Sequence, residues 1–310
     1  MNKIDQLFAA LALGLLSAPI VAQAQGYDYE TIDFPGASDT QVFGVNERGD
    51  AAGNGFVDPD NYPFVYDTKN GRFTSVAPVA GFDDTVVLGI NDGGALAGSV
   101  FSLATGIESG LILDKNGTAT VFDHPDAFTF TQARAMNSRG LVTGFYDLND
   151  PLSALGGFIY DPKTETFTNI VPSVFTIPQG INARGDVVGS AIFLPDDDPC
   201  PGGFARYGWL RTTDGNVTYF TVNGQRTSGR GITDSGTIAG FITDPFTGDT
   251  KGYVADLDGT QCQDIAIADA DLLVLPGAIA TFAQGITNSG KVVGFFFDDF
   301  FAHGFVATPQ

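Results

Sequence analysis

One phrase recurs six times along this chain, and it constrains the fold more than any other feature. It reads Gly44-Val-Asn-Glu-Arg-Gly-Asp-Ala-Ala-Gly53, then Gly89-Ile-Asn-Asp-Gly-Gly-Ala-Leu-Ala-Gly98, then Ala135-Met-Asn-Ser-Arg-Gly-Leu-Val-Thr-Gly144. Three more copies start at Gly180, Gly231 and Gly285. Each holds Asn or Thr, a Gly three residues later, and another Gly four after that. Asn and Thr side chains bond the nearby backbone and open tight turns, and glycine takes the left-handed conformation that ends them. Apolar residues flank each turn, so each phrase reads as a β-hairpin. The anchors Asn46, Asn91, Asn137, Asn182, Thr233 and Thr287 stand 45, 46, 45, 51 and 54 residues apart, the period of a propeller blade.

A second pair of strands follows each hairpin, such as Gly157-Phe-Ile-Tyr-Asp161 and Phe167-Thr-Asn-Ile170 around a turn. Each unit is therefore expected to be a four-stranded antiparallel meander. The sixth unit reaches Gln310 with only three strands. The segment Tyr27–Phe34 at the other end of the chain supplies the fourth, which removes an exposed edge. The expected fold is an all-β, six-bladed β-propeller formed by residues 25–310 as one domain. An open or five-bladed arrangement is the alternative.

The repeated phrase, the stretch Ile32-Asp33-Phe34-Pro35-Gly36-Ala37 and His303-Gly304-Phe305 resemble the bacterial "extracellular repeat, HAF family". The resemblance covers essentially the whole chain after residue 24. It implies export and a repeat β fold, and it brings no catalytic residues with it. Insertions around 195–206 and 259–271 depart from its pattern.

Composition agrees with an all-β chain. Gly numbers 40 and Phe 27, and the 36 acidic residues are 32 Asp against 4 Glu. Asp favours caps and turns where Glu and Lys favour helices, so a helix bundle or an alternating βαβ fold is poorly supported. The net charge of −21 repels phosphates, so nucleic acid and anionic membranes are not expected partners. Residues 1–24 read as a secretory signal peptide. Lys3 is the basic flank, Leu7 to Leu16 the apolar stretch, and Ala22-Gln23-Ala24 the cleavage site. The stretch is too short to span a membrane. The chain is expected to be secreted or periplasmic, without a cofactor.

Alternation of strands puts the loops between second and third strands at one end of every unit, beside the connections between units. This end is the loop face; the opposite end is the turn face. The loop face gathers carboxylates: Asp58 and Asp60, Asp147 and Asp150, and Asp196, Asp197 and Asp198 are the best candidates for a Ca²⁺ site. The alternative is that Asp is simply a good loop residue in an acidic protein. Arg48, Arg139 and Arg184 fall in the turns of the other face.

Three residues before the anchors stand Phe43, Leu88, Arg134, Gln179, Arg230 and Gln284. They belong to the strands nearest the axis. Arg134, Gln179, Arg230 and Gln284 can form a pocket there, with the two arginines gripping a carboxylate or sulfate. The plainer reading pairs both arginines with nearby Asp side chains. Phe300 and Phe301 are expected at the tip of the last loop, either as a contact surface or folded over the blade edge. Cys200 and Cys262 both lie in inserted segments, which favours a disulfide, but their expected faces differ, which argues against one. His303 is read as a packing or turn residue, and His124 precedes Pro125 in a connection.

These features suggest an exported binding or structural module that presents a surface to a glycan, a peptide or a surface protein. The alternatives are a polysaccharide hydrolase or lyase working on the acidic face, or a Ca²⁺-dependent adhesin. An axis plugged by apolar side chains would weigh against the enzyme.

Overall fold

A computed structural model describes residues 26–57, 60–150, 152, 154–170, 173–200 and 206–310. The expected signal peptide and Asp58 lie outside the described residues. The first strand, β1 (Tyr27–Ile32), stands apart from those that follow it. The next eight make two four-stranded antiparallel sheets. One is β2 (Asp39–Val45), β3 (Asp50–Val57), β4 (Asp60–Asp67) and β5 (Arg72–Ser75). The other is β6 (Asp84–Ile90), β7 (Leu96–Ser102), β8 (Ile107–Leu113) and β9 (Ala119–Phe122).

The third unit is β10 (Thr131–Met136), β11 (Val142–Asp147), β12 (Leu155–Asp161) and β13 (Thr166–Ile170). The fourth is β14 (Phe175–Ile181), β15 (Val187–Ile192), β16 (Arg206–Arg211) and β17 (Val217–Val222). The fifth takes β18 (Arg226–Ile232), β19 (Ile238–Thr243) and β20 (Thr250–Ala255). Two short strands follow, β21 (Gln263–Ile265) and β22 (Asp271–Leu273), and β22 completes the unit on β20. The sixth is β23 (Ala280–Ile286), β24 (Val292–Phe297) and β25 (Ala302–Pro309). Its fourth strand is β1, paired antiparallel with β25 from Tyr27↔Pro309 to Ile32↔Gly304.

The repeated phrase accounts for the hairpins. Asn46 Oδ1 accepts the N–H groups of Arg48 at 3.0 Å and Asp50 at 2.9 Å; Asn137 does the same with Arg139 and Leu141, and Asn182 accepts those of Gly185 and Asp186. The six turn glycines, Gly49, Gly94, Gly140, Gly185, Gly236 and Gly290, all have φ between 83° and 105°. The glycine before the anchor has a different task. A Cβ on Gly44 would lie 2.9 Å from Gly89 Cα, one on Gly89 2.9 Å from Arg134 O, and one on Gly180 2.4 Å from Arg230 O. These positions let the innermost strands of successive units touch. Gly285 of the sixth unit in turn lies against Val45 of the first.

The apolar core sits between units rather than at the axis. Six clusters of buried side chains each join two neighbouring units. Ile32, Val42, Phe64, Tyr66, Val293 and Val306 join the sixth unit, β1 included, to the first. Third-strand side chains dominate these clusters: Phe64, Phe158, Trp209, Tyr253 and Phe305 are fully buried. Burying each such ring contributes about 1.5–3 kcal/mol.

The segment after β20 leaves its own unit. There β21 runs parallel to β17, with Phe220↔Gln263 to Val222↔Ile265. This brings Cys262 to Cys200 across a sequence separation of 62, and the two form a disulfide with Cα atoms 5.5 Å apart. The objection that their faces differ fails because the inserted segment crosses to the outer edge of the fourth unit.

Candidate functional site at the axis and the loop face

Every innermost strand carries a β-bulge at the same place. The pairing with the second strand shifts between Val42 and Gly44, Val87 and Gly89, Ala133 and Ala135, Pro178 and Gly180, Gly229 and Gly231, and Ala283 and Gly285. The extra residues are Phe43, Leu88, Arg134, Gln179, Arg230 and Gln284, the six singled out by their spacing from the anchors. A bulge re-aims a side chain, and here all six line one cavity of about 80 Å³. The bulge positions bring two apolar and four polar side chains to this cavity, and a belt of Val45, Ile90, Met136, Ile181, Ile232 and Ile286, one from each unit, separates it from a second cavity at the turn face.

Two arginines face this cavity. Arg134 donates through Nε to Gln179 Oε1 at 2.8 Å and through Nη1 to Gln132 Oε1 at 3.0 Å. Gln132 donates in turn to Glu108 Oε1 at 2.9 Å, so a carboxylate is reached only through an amide. The Arg134 guanidinium also lies 5.8 Å from the Phe43 ring centre. Burial pushes its pKa down to about 10.

Arg230 is more isolated. Its guanidinium lies 4.8 Å from the Phe241 ring centre, and its buried Nε has no hydrogen-bond partner among the described residues. Burial, then the charges of Arg134 and Arg206, press its pKa well below the usual guanidinium value. The Nε of Arg206, at the start of β16, is likewise buried without a partner among the described residues. The expectation that Arg134 and Arg230 pair with aspartates is overturned: among the described residues, the arginines ion-paired to carboxylates are Arg48 and Arg184, both in turns.

A chain of phenylalanine contacts leads away from Phe43 in the cavity lining. Phe43 packs on Phe295 with ring centres 5.7 Å apart, and Phe282 lies 5.0 Å from Phe295 and 4.9 Å from Phe241. The mouth on the turn face is polar instead. Asn46, Asn91, Asn137 and Asn182 each donate to a carbonyl of the next unit, at 2.9–3.3 Å. Glu47 accepts the Asn288 N–H at 2.7 Å, tying the sixth unit's turn to the first.

The loop-face carboxylates are mostly bonded to their own backbone. Asp147 accepts N–H groups of Phe128, Thr129 and Phe130 and the Thr129 hydroxyl. Burial opposes its ionisation, but these donors hold its carboxyl below the usual range. Asp150 caps Leu152 and Ala154, and Asp198 accepts from the Cys200 N–H and the Tyr207 hydroxyl. Asp196 and Asp197 are exposed on a short 3-10 turn, and Asp60 is exposed at the start of β4. Among the described residues no three such ligands gather as a metal centre.

The same face carries a feature that sequence reasoning missed. Of the eleven exposed large apolar side chains among the described residues, nine lie in the loops or strand ends of this face. Tyr62, Leu103, Leu152, Leu194, Phe246 and Phe300 supply one from each unit's loop region, and Phe301, Phe128 and Ile279 join them. Phe300 and Phe301 are 81% and 46% exposed, so this tip does not fold over the blade edge. Single apolar residues in loops carry no periodic signal; only the fold puts them on one face.

The histidines have defined places. His124 is buried, stacked 3.6 Å from the Tyr146 ring, with Nε2 2.8 Å from Asn169 Oδ1. His303 bridges two carboxylates, with Nδ1 2.8 Å from Asp33 and Nε2 3.2 Å from Asp298. Burial lowers its pKa, but the two carboxylates outweigh that and raise it. Asp298 also accepts the N–H groups of Phe300 and Phe301, both at 2.8 Å.

No helix among the described residues is long and apolar enough to cross a membrane. No family model matches the chain, and no curated protein does. Solved structures do. A streptogramin B lyase is 12% identical, with a TM-score of 0.52, over 92% of this chain and 98% of that one. A putative gluconolactonase is 13% identical, with a TM-score of 0.53, over 92% and 93%. A luciferin-regenerating enzyme is 11% identical, with a TM-score of 0.54, over 91% and 95%. At such identities the likeness is one of fold alone, and it places this chain among propeller-like all-β proteins.

Proposed function

We propose that this chain is an exported binding module, export being what its resemblance to HAF-repeat proteins implies, whose six units close into a six-bladed propeller and whose loop face docks a partner macromolecule. The observation that carries the reading is the concentration of exposed Leu, Ile, Phe and Tyr side chains on that one face. Exposed apolar side chains grouped on one face mark contact surfaces, whereas scattered ones need no explanation. Aliphatic tips such as Leu103 and Leu152 suit a polypeptide partner better than a glycan, which stacks on aromatic faces. The enzyme reading needs polar side chains of perturbed acidity converging at the axis mouth of the acidic face, with one able to take or give a proton. The groups gathered there are two arginines and two glutamines, so binding is the better supported reading.

The test is a panel of immobilised peptides and polysaccharides probed with residues 25–310. A variant with Phe246, Phe300 and Phe301 changed to Ser should lose binding. One with Val121 and Ile267, away from that face, changed to Ser should keep it. Equal behaviour of the two variants would contradict the proposal, and retention on polysaccharide alone would move the partner class to glycans.

A further inference from the structure

We propose that the axial cavity is a binding site for a small oxyanion or for the carboxylate of a larger ligand, held by Arg134 and Arg230 and flanked by the amides of Gln179 and Gln284. The inference deepens the loop-face reading and rests on it, because a ligand docked there can place an anionic group at the axis.

Three observations carry it. The first is convergence. Arg134 and Arg230 come from the third and fifth units, which are not neighbours in the chain's order, and equivalent bulges turn both into one cavity. The second is missing compensation. A buried charged donor without an acceptor is strongly unfavourable. Yet in a chain with 36 acidic residues, Arg230 has Phe241 against it and no carboxylate among the described residues. A packing role would be met by one arginine over an aromatic ring. It does not account for a second and a third guanidinium, those of Arg134 and Arg206, close enough to repel the first. Such an arrangement is stable when a negative group completes it.

The third observation is size and lining. A cavity of about 80 Å³ admits a sulfate or a carboxylate with a few waters and excludes a whole sugar chain. Planar guanidinium groups bind these anions through paired N–H donors. Phe43 and Leu88, at the same bulge positions, offer apolar surface to the body of a ligand whose anionic end is at the arginines.

Sulfate and galacturonate are the probes, each compared with chloride at constant ionic strength, by calorimetric titration and by melting of residues 25–310. The wild type should bind at least one probe saturably in the millimolar range. It should melt roughly 4–5 °C higher at a hundred-fold excess over Kd. Sulfate alone would define an oxyanion site, and galacturonate alone a carboxylate site. Arg230→Gln should fold, melt in chloride at or above the wild type, and lose that rise with at least tenfold weaker binding. Arg134→Gln should weaken binding in the same direction.

Three results would overturn the inference: no saturable binding by the wild type, an equal rise in wild type and Arg230→Gln, or an Arg230→Gln protein that is less stable in chloride and indifferent to both probes. The last would make Arg230 a strut on Phe241. None of these touches the serine-variant result at Phe246, Phe300 and Phe301, so failure here is distinguishable from failure of the loop-face reading.

Discussion

His303 shows what a single residue contributes that its local sequence does not announce. Its phrase, His-Gly-Phe, reads as packing, and its ring does stack on Phe296, with centres 5.2 Å apart. Its carboxylate partner Asp33 lies 270 residues away, beyond any local pattern. Because its folded pKa is raised, its stabilising contribution is complete below the unfolded value of about 6.5 and is lost as pH rises through the folded one. Melting curves between pH 5 and 9 should therefore show a wild-type advantage over His303→Gln that shrinks as pH rises; a constant difference would refute the pairing. The axis residues were legible for the opposite reason. Arg134, Gln179, Arg230 and Gln284 stand at a fixed distance from the anchors, so their common place followed from the repeat. Their lack of ion pairs did not, since proximity of Asp in sequence says nothing about which Asp reaches the axis.

At the scale of elements, the repeat made nearly every strand readable, because turn chemistry and apolar flanks recur together. The bulges were not readable as bulges, although the Gly after each extra residue, or Ala135 in the third unit, was in plain view. Gly180→Ala would place a methyl 2.4 Å from Arg230 O. Overpacking of this kind costs about 1–3 kcal/mol, so the melting temperature should fall by several degrees; an unchanged value would show that the inner strands do not approach as described. The detour of β21 onto β17 was hidden, because three residues of strand in an insertion carry no period. Changing Cys200 and Cys262 together to Ser should lower stability by about 2–4 kcal/mol, read by denaturant titration. No loss would mean that the parallel pairing of β21 holds the segment without the bond.

For the whole molecule, the legible part was the arithmetic of strands: three in the last unit and an unclaimed one near the start. The pairing of β1 with β25, the mixed cluster of Ile32, Phe64 and Val306, and the Glu47–Asn288 bond all join the sixth unit to the first. The carboxylates of the loop face were legible from loop positions, but its apolar side chains were not, because they stand singly in loops that are far apart in the chain. The proposed six-bladed closure rests on β1 completing the sixth unit beside the first. Hydrogen–deuterium exchange of the folded protein tests that directly. Those amides of 27–32 that bond to β25 should be protected along with 302–309, since they share one ladder, while the outward-facing amides of the edge strand exchange faster. Rapid exchange throughout 27–32 beside a protected 302–309 would contradict closure.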